Sequence, residues 1–225
     1  MGKAEVVKAW KPELGTLGFV YRDNMFRYVE TLENSLQLTI FVQKNSYEDT
    51  YQTGPEILIR SPLLKMSRWR VFLSANLRPG RIRFHSHTES WWPPGKLADA
   101  LVALKRLVVP WFERWGDARI LVEKVELSIE RRIPLIEAVE PLSPEQEEAI
   151  QHAWPHILNS NPAVPVISYF SASVLHYLVG NKEMSIRRTE DWIRRLGPND
   201  ESERAEALNQ LSALRDKPIQ EFQEG

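Results

Sequence analysis

Leu36–Lys44 and Leu97–Trp115 carry apolar residues at two different periods, and no other feature constrains the fold as much as this change of period. In the first stretch Leu36, Leu38, Ile40 and Val42 alternate with Gln37, Thr39 and Gln43. A period of two suits a half-buried strand, and a polar opposite face suits an antiparallel sheet. In the second stretch Leu97, Leu101, Leu104, Val108, Trp111 and Trp115 recur every three or four residues, along one side of a helix. The switch falls at Trp92-Pro93-Pro94-Gly95. The pattern predicts an α+β fold: an antiparallel sheet built first, then a helix that covers one of its faces.

The remaining segments fit that plan. Val6, Val7, Trp10 and Leu14 predict an N-terminal helix stopped at Gly15. Phe19–Arg22 and Phe26–Leu32 read as strands around an Asp23-Asn24 turn. Glu56–Arg60, Trp69–Ser74 and Arg81–His87 extend the sheet to five or six strands, the last two joined around Arg78-Pro79-Gly80. Pro110 is expected to kink or divide the 97–115 helix. Asp117 is placed to cap a further helix bearing Leu121, Val125 and Ile129, although the alternation Val125, Leu127, Ile129 also permits a strand. Pro134–Pro141 reads as a linker, and Ser143-Pro144-Glu145-Gln146 as a capping box. Helical stretches follow at about Val166–Val179, Glu183–Leu196 and Glu201–Arg215. The expected organisation is an α+β domain over 1–138 and a helical subdomain or extension over 142–225.

With 225 residues, the chain can bury one large core or two small ones. The absence of cysteine excludes disulfides, thiolate ligation and thiol catalysis, and suits a reducing compartment. MGKAEVVKAWKPEL has no apolar core of signal-peptide length, and Val6 stands where a myristoylation signal prefers Ser or Thr. No run approaches the roughly 18 apolar residues that span a bilayer. A cytoplasmic protein with no membrane partner is expected. The net charge of −1 conceals a segment, Ile57–Thr88, without acidic residues and with seven basic ones, while EAVEPLSPEQEE is strongly acidic.

The stretch RIRFHSHTE holds the most chemical-looking pattern. His85, His87 and Glu89 share one face of a strand and have the donor types of a divalent metal site. Arg81 and Arg83 share that face too, and their fixed positive charges oppose a cation. A metal-assisted hydrolase on these residues is therefore the weakest reading, and no cofactor is expected. Arg68, Arg70, Arg81 and Arg83 are better suited to bind carboxylate or phosphate, if a hairpin brings them together. Internal pairing with the acidic segment explains the same charges. Trp91 and Trp92 read first as core packing at the strand-to-helix corner, second as a stacking platform. His152 and His156 flank Pro155 without a metalloprotease glutamate, and His176 reads as a core or boundary residue. No Walker loop, dinucleotide fingerprint or nucleophile elbow is present.

Several short motifs, in order, carry a resemblance over about residues 1–115: Leu17-Gly18-Phe19, Phe26-Arg27, Val42-Gln43-Lys44-Asn45, Trp91-Trp92 and Pro110-Trp111-Phe112. In these the chain resembles an uncharacterised bacterial domain family of unknown function. The resemblance implies an α+β fold and carries over no catalytic residue. Some proteins of this general type look like small immunity or stress-associated proteins. The leading expectation is a non-catalytic binding protein with a protein partner, engaged through the sheet face or the Arg-rich hairpin. The alternative is an anion or nucleic-acid binder through the arginines. The sequence does not specify the oligomeric state.

Overall fold

The computed structural model describes residues 2–31, 34–45, 47–65, 67–78, 81–83, 92–133, 135–140 and 166–217. The chain forms two compact units. One comprises Met1–Ile59 with Arg70–Gly116, the other Arg60–Trp69 with Asp117–Gly225.

The first unit is α+β. Helix α1 (Lys3–Gly15) precedes strands β1 (Phe19–Arg22), β2 (Met25–Tyr28), β3 (Leu36–Lys44), β4 (Tyr51–Ile59) and β5 (Arg70–Ser74), which pair antiparallel in sequence order. The β1–β2 turn is tight because Asp23 and Asn24 both adopt left-handed φ, 52° and 65°. Two such residues match the twist of the strands they join, and Asn and Asp tolerate this region best among residues with side chains. Pairing of Leu36, Leu38 and Ile40 with Ile59, Ile57 and Pro55 builds one continuous apolar face. Helix α1 packs on β1 and β3, burying Val6, Val7, Trp10 and Leu14. Helix α2 (Leu97–Trp115) reaches β4 and buries the stripe Leu97, Ala100, Leu104, Val108, Trp111, Phe112 and Trp115.

Three features differ from the sequence reading. Pro110 does not divide α2. The proline frees the carbonyl of Arg106, and both residues lie on the exposed side of the helix, where a freed carbonyl can be hydrated. The strand after Trp69 breaks at Ala75, so the hairpin at Arg78 joins β6 (Asn76–Arg78) to β7 (Arg81–Arg83) as a separate two-stranded sheet. Ala75 instead turns against β4, its N–H donating to the Pro55 carbonyl at 3.0 Å. That approach needs Gly54, since a Cβ there would lie 1.8 Å from the Ala75 oxygen. Finally, β3 is not half-buried: Gln37 and Thr39 are fully covered, like the leucines beside them.

The second unit is helical. Asp117 caps α3 (Ala118–Arg131), its carboxylate accepting from the Arg119 N–H at 2.8 Å. The short α4 (Leu135–Val139) lies within the expected linker. Then come α5 (Val166–Leu178), α6 (Lys182–Arg195), capped by Asn181, and α7 (Glu201–Asp216). The boundary between units falls at 116/117, earlier than the sequence suggested, because α3 packs against α5. The capping box at Ser143 lies outside the described residues. A buried polar seam joins α5, α6 and α7. Gln210 Nε2 donates to Ser173 Oγ at 2.7 Å, Ser173 Oγ lies 2.6 Å from Thr189 Oγ1, and Thr189 Oγ1 donates to the Ser185 carbonyl at 2.9 Å. Phe170 and Trp192 close the same core edge to face, with ring centroids 5.0 Å apart. No described helix is long and apolar enough to cross a membrane.

Candidate functional site: a basic groove in the helical unit

Between β4 and β5 the described residues 60–65 and 67–69 are tied together by hydrogen bonds. Ser67 Oγ accepts from the Ser61 N–H at 3.0 Å and donates to Glu206 on α7 at 3.1 Å. The Ser67 N–H donates to the Leu64 carbonyl at 3.2 Å, and the Arg60 guanidinium stacks 4.5 Å from the Trp69 ring centroid. Fixing both ends and the middle removes the entropy that a binding loop otherwise loses on engagement.

Against this loop α7 presents Ser202, Ala205, Glu206 and Asn209, spaced as one face of a helix. Loop and helix enclose a groove of about 560 Å³, lined on the loop side by Leu63, Leu64, Lys65, Ser67 and Arg68. That volume lies in the range of ordinary ligand sites. Leu63 and Leu64 are half-exposed, and Lys65 and Arg68 are exposed. Among the described residues, neither cation makes an ion pair with a carboxylate. The groove thus joins aliphatic surface to two available positive charges.

The other arginines of the sequence pattern lie elsewhere. Arg70 stands opposite Ile59 at the edge of the five-stranded sheet. Arg81 is exposed on β7, directly opposite Arg78, and Arg83 stands opposite Asn76. Of the four arginines, only Arg81 and Arg83 lie on the β6–β7 hairpin. Trp92 is core: its indole N–H donates to the Leu77 carbonyl at 3.0 Å, and its backbone bridges to Tyr51. Trp91, His85, His87 and Glu89 lie outside the described residues, as do His152 and His156. Among the described residues no three His, Asp or Glu side chains cluster as metal ligands.

Two polar clusters escaped the sequence reading. A row of directly paired residues, Arg27, Thr39, Glu56 and Ser74, crosses strands β2 to β5. Arg27 donates to Gln37 and pairs with Asp23 at 3.0 Å, and Ser74 Oγ donates to Glu56 at 3.2 Å. Burial pushes the Glu56 carboxyl above its ordinary pKa, against a smaller opposing effect of the Ser74 hydroxyl. The second cluster joins three helices. Glu126 on α3 accepts from His176 Nε2 on α5 at 2.8 Å and from Arg188 Nε on α6 at 2.9 Å. Burial alone would raise the Glu126 pKa, but these hydrogen bonds and the guanidinium charge outweigh it and hold the carboxyl at about 2. An ionised carboxylate cannot donate, so His176 Nε2 is the donor in this hydrogen bond. His176 Nδ1 is buried and has no hydrogen-bond partner among the described residues. The first cluster links neighbouring strands, and the second links three helices while leaving His176 Nδ1 without a partner among the described residues.

Comparisons with protein-family models, with curated proteins and with solved structures give no match to this chain.

Proposed function

We propose that the chain is a non-catalytic, cytoplasmic binding protein that engages a protein partner at the groove between the 60–69 loop and α7. An immunity-like role, neutralising a toxic partner, is one concrete form. The observation that carries the reading is the pairing of a hydrogen-bonded loop with two exposed cations, neither in an ion pair among the described residues, beside half-exposed leucines. Arginine is enriched among interface hot spots, and apolar surface around such a contact excludes water from it. The sheet face expected to bind is replaced in this role, because its polar residues Gln37 and Thr39 are covered.

The test is site-specific photo-crosslinking from position 209 in the producing cells, with mass spectrometry of the product. A protein should be captured, and Lys65→Ala/Arg68→Ala should abolish its capture. Equal capture by the double variant removes the groove from the reading.

A second reading, anion binding at the β6–β7 hairpin, draws on the direct opposition of Arg78 and Arg81. Like charges at opposed ladder positions are destabilising unless something neutralises them. Phosphate should then raise the melting temperature of the wild type more than that of Arg81→Ala.

A further inference from the structure

The groove contains one feature that a general anion site would not. Glu206 sits in the lining beside Lys65 and Arg68, with its Oε1 accepting from Ser67 at 3.1 Å. A nucleic acid carries a charge at every nucleotide, so a strand laid along this groove would bring phosphate against the Glu206 carboxylate. Two cations also offer little counterion release, and the Leu63-Leu64 surface gives a phosphate backbone nothing to bury. A sparse acidic peptide meets neither objection. A single carboxylate fits the Arg68 fork and the Lys65 point charge, and an aliphatic side chain close to it covers the leucines.

Resting on the docking role proposed above, we infer that the groove takes an acidic linear segment of the partner, in which a carboxylate side chain lies within a turn of a leucine-class side chain. Charge complementarity selects the segment and the leucines anchor it. Ala205, exposed on α7, sets the depth available to the anchor.

Fluorescence anisotropy with the full chain and short labelled synthetic peptides tests this. The probe contains Glu and Leu. Companion probes change every Glu to Gln or every Leu to Ser, and others are an oligothymidine of equal charge and a peptide of this chain's own residues 137–148. The Glu/Leu probe should bind saturably. It should lose about tenfold or more in affinity on Glu-to-Gln exchange or in Lys65→Ala/Arg68→Ala, and about threefold or more on Leu-to-Ser exchange. Ala205→Trp, an exposed change that fills the groove, should weaken the probe without unfolding the chain. Equal or tighter oligothymidine binding overturns the inference, as does indifference to the Leu exchange or an absence of saturable binding. Tighter binding of the 137–148 peptide also overturns it, since the chain would then supply its own occupant. If the peptides fail while groove-dependent crosslinking persists, the inferred chemistry falls and the docking role stands. If crosslinking also survives the double variant, the docking role falls with it.

Discussion

Arg188 grips Glu126 with two nitrogens, Nε lying 2.9 Å from Oε1 and a terminal nitrogen contacting Oε2, across helices that are 62 residues apart in sequence. Bidentate geometry on a partly buried carboxylate makes this a strong polar tie among the described helices. Glu126→Gln would keep the shape but leave the guanidinium with an uncharged partner. Arg188 retains Asp191 at 2.9 Å, so the expected loss is about 2–4 kcal/mol, at or below the usual range for breaking a buried pair. Urea unfolding at neutral pH measures it, and a loss near zero would show the tie to be incidental.

The same carboxylate predicts a pH dependence. Its pKa in the folded chain is about 2, against an ordinary value of 4.5. A depressed carboxylate stabilises the fold above its unfolded value, and that stabilisation disappears as pH falls from about 4.5 through about 2. After screening, the amount is on the order of 1–3 kcal/mol. Stability curves of wild type and Glu126→Gln should therefore converge across that window. Parallel curves would contradict the assignment.

Glu56 should behave in the opposite sense. Burial raises its folded pKa above the ordinary 4.5, so the ionised form costs stability once pH rises past that value and through the raised one. Glu56→Gln keeps an oxygen for the Ser74 hydroxyl and removes the charge. The variant should melt higher than wild type at neutral pH, and the advantage should shrink in acid. A lower melting point at neutral pH would mean that the charge is paired.

Gly54 permits the close passage of Ala75. With a Cβ placed 1.8 Å from that carbonyl oxygen, Gly54→Ala must force the chain off β4. The cost should be about 3 kcal/mol or more, at the upper end for overpacking. Thermal melts will show it, and an unchanged melting point would disprove the close approach.

Asn24, at φ 65°, offers a change in the other direction. Asn24→Gly should hold or slightly raise stability, while Asn24→Ile should lower it by about 1–2 kcal/mol, the cost of left-handed backbone at a branched residue.

The sequence spoke clearly wherever a single periodicity governed a whole element. Leu36–Lys44 and Leu97–Trp115 appear with the expected bounds, and Asp23-Asn24 forms the expected turn. It misled where solvent access decided the outcome. Pro110 is tolerated because the carbonyl it frees lies on the exposed side of α2, and Gln37 alternates like a surface residue yet lies buried beside the Arg27 guanidinium. The break at Ala75 follows from a contact with β4, which no local pattern encodes. Of the expected binding residues that are described, only Arg68 lines the groove, with Lys65 and Ser67 from its own loop and Ser202, Ala205, Glu206 and Asn209 from α7. Nothing in the spacing of Glu126, His176 and Arg188 announces that they meet.

Ser67 reaches Glu206 across 139 residues of chain, the longest separation of any hydrogen bond described above. At a ribosomal pace of about 5–20 residues per second, the loop emerges many seconds before its helical counterpart. During that interval Leu63 and Leu64 have no α7 beside them, and a nascent chain offers only half of the groove. A partner that needs both walls would therefore meet only chains in which α7 has already docked against the loop.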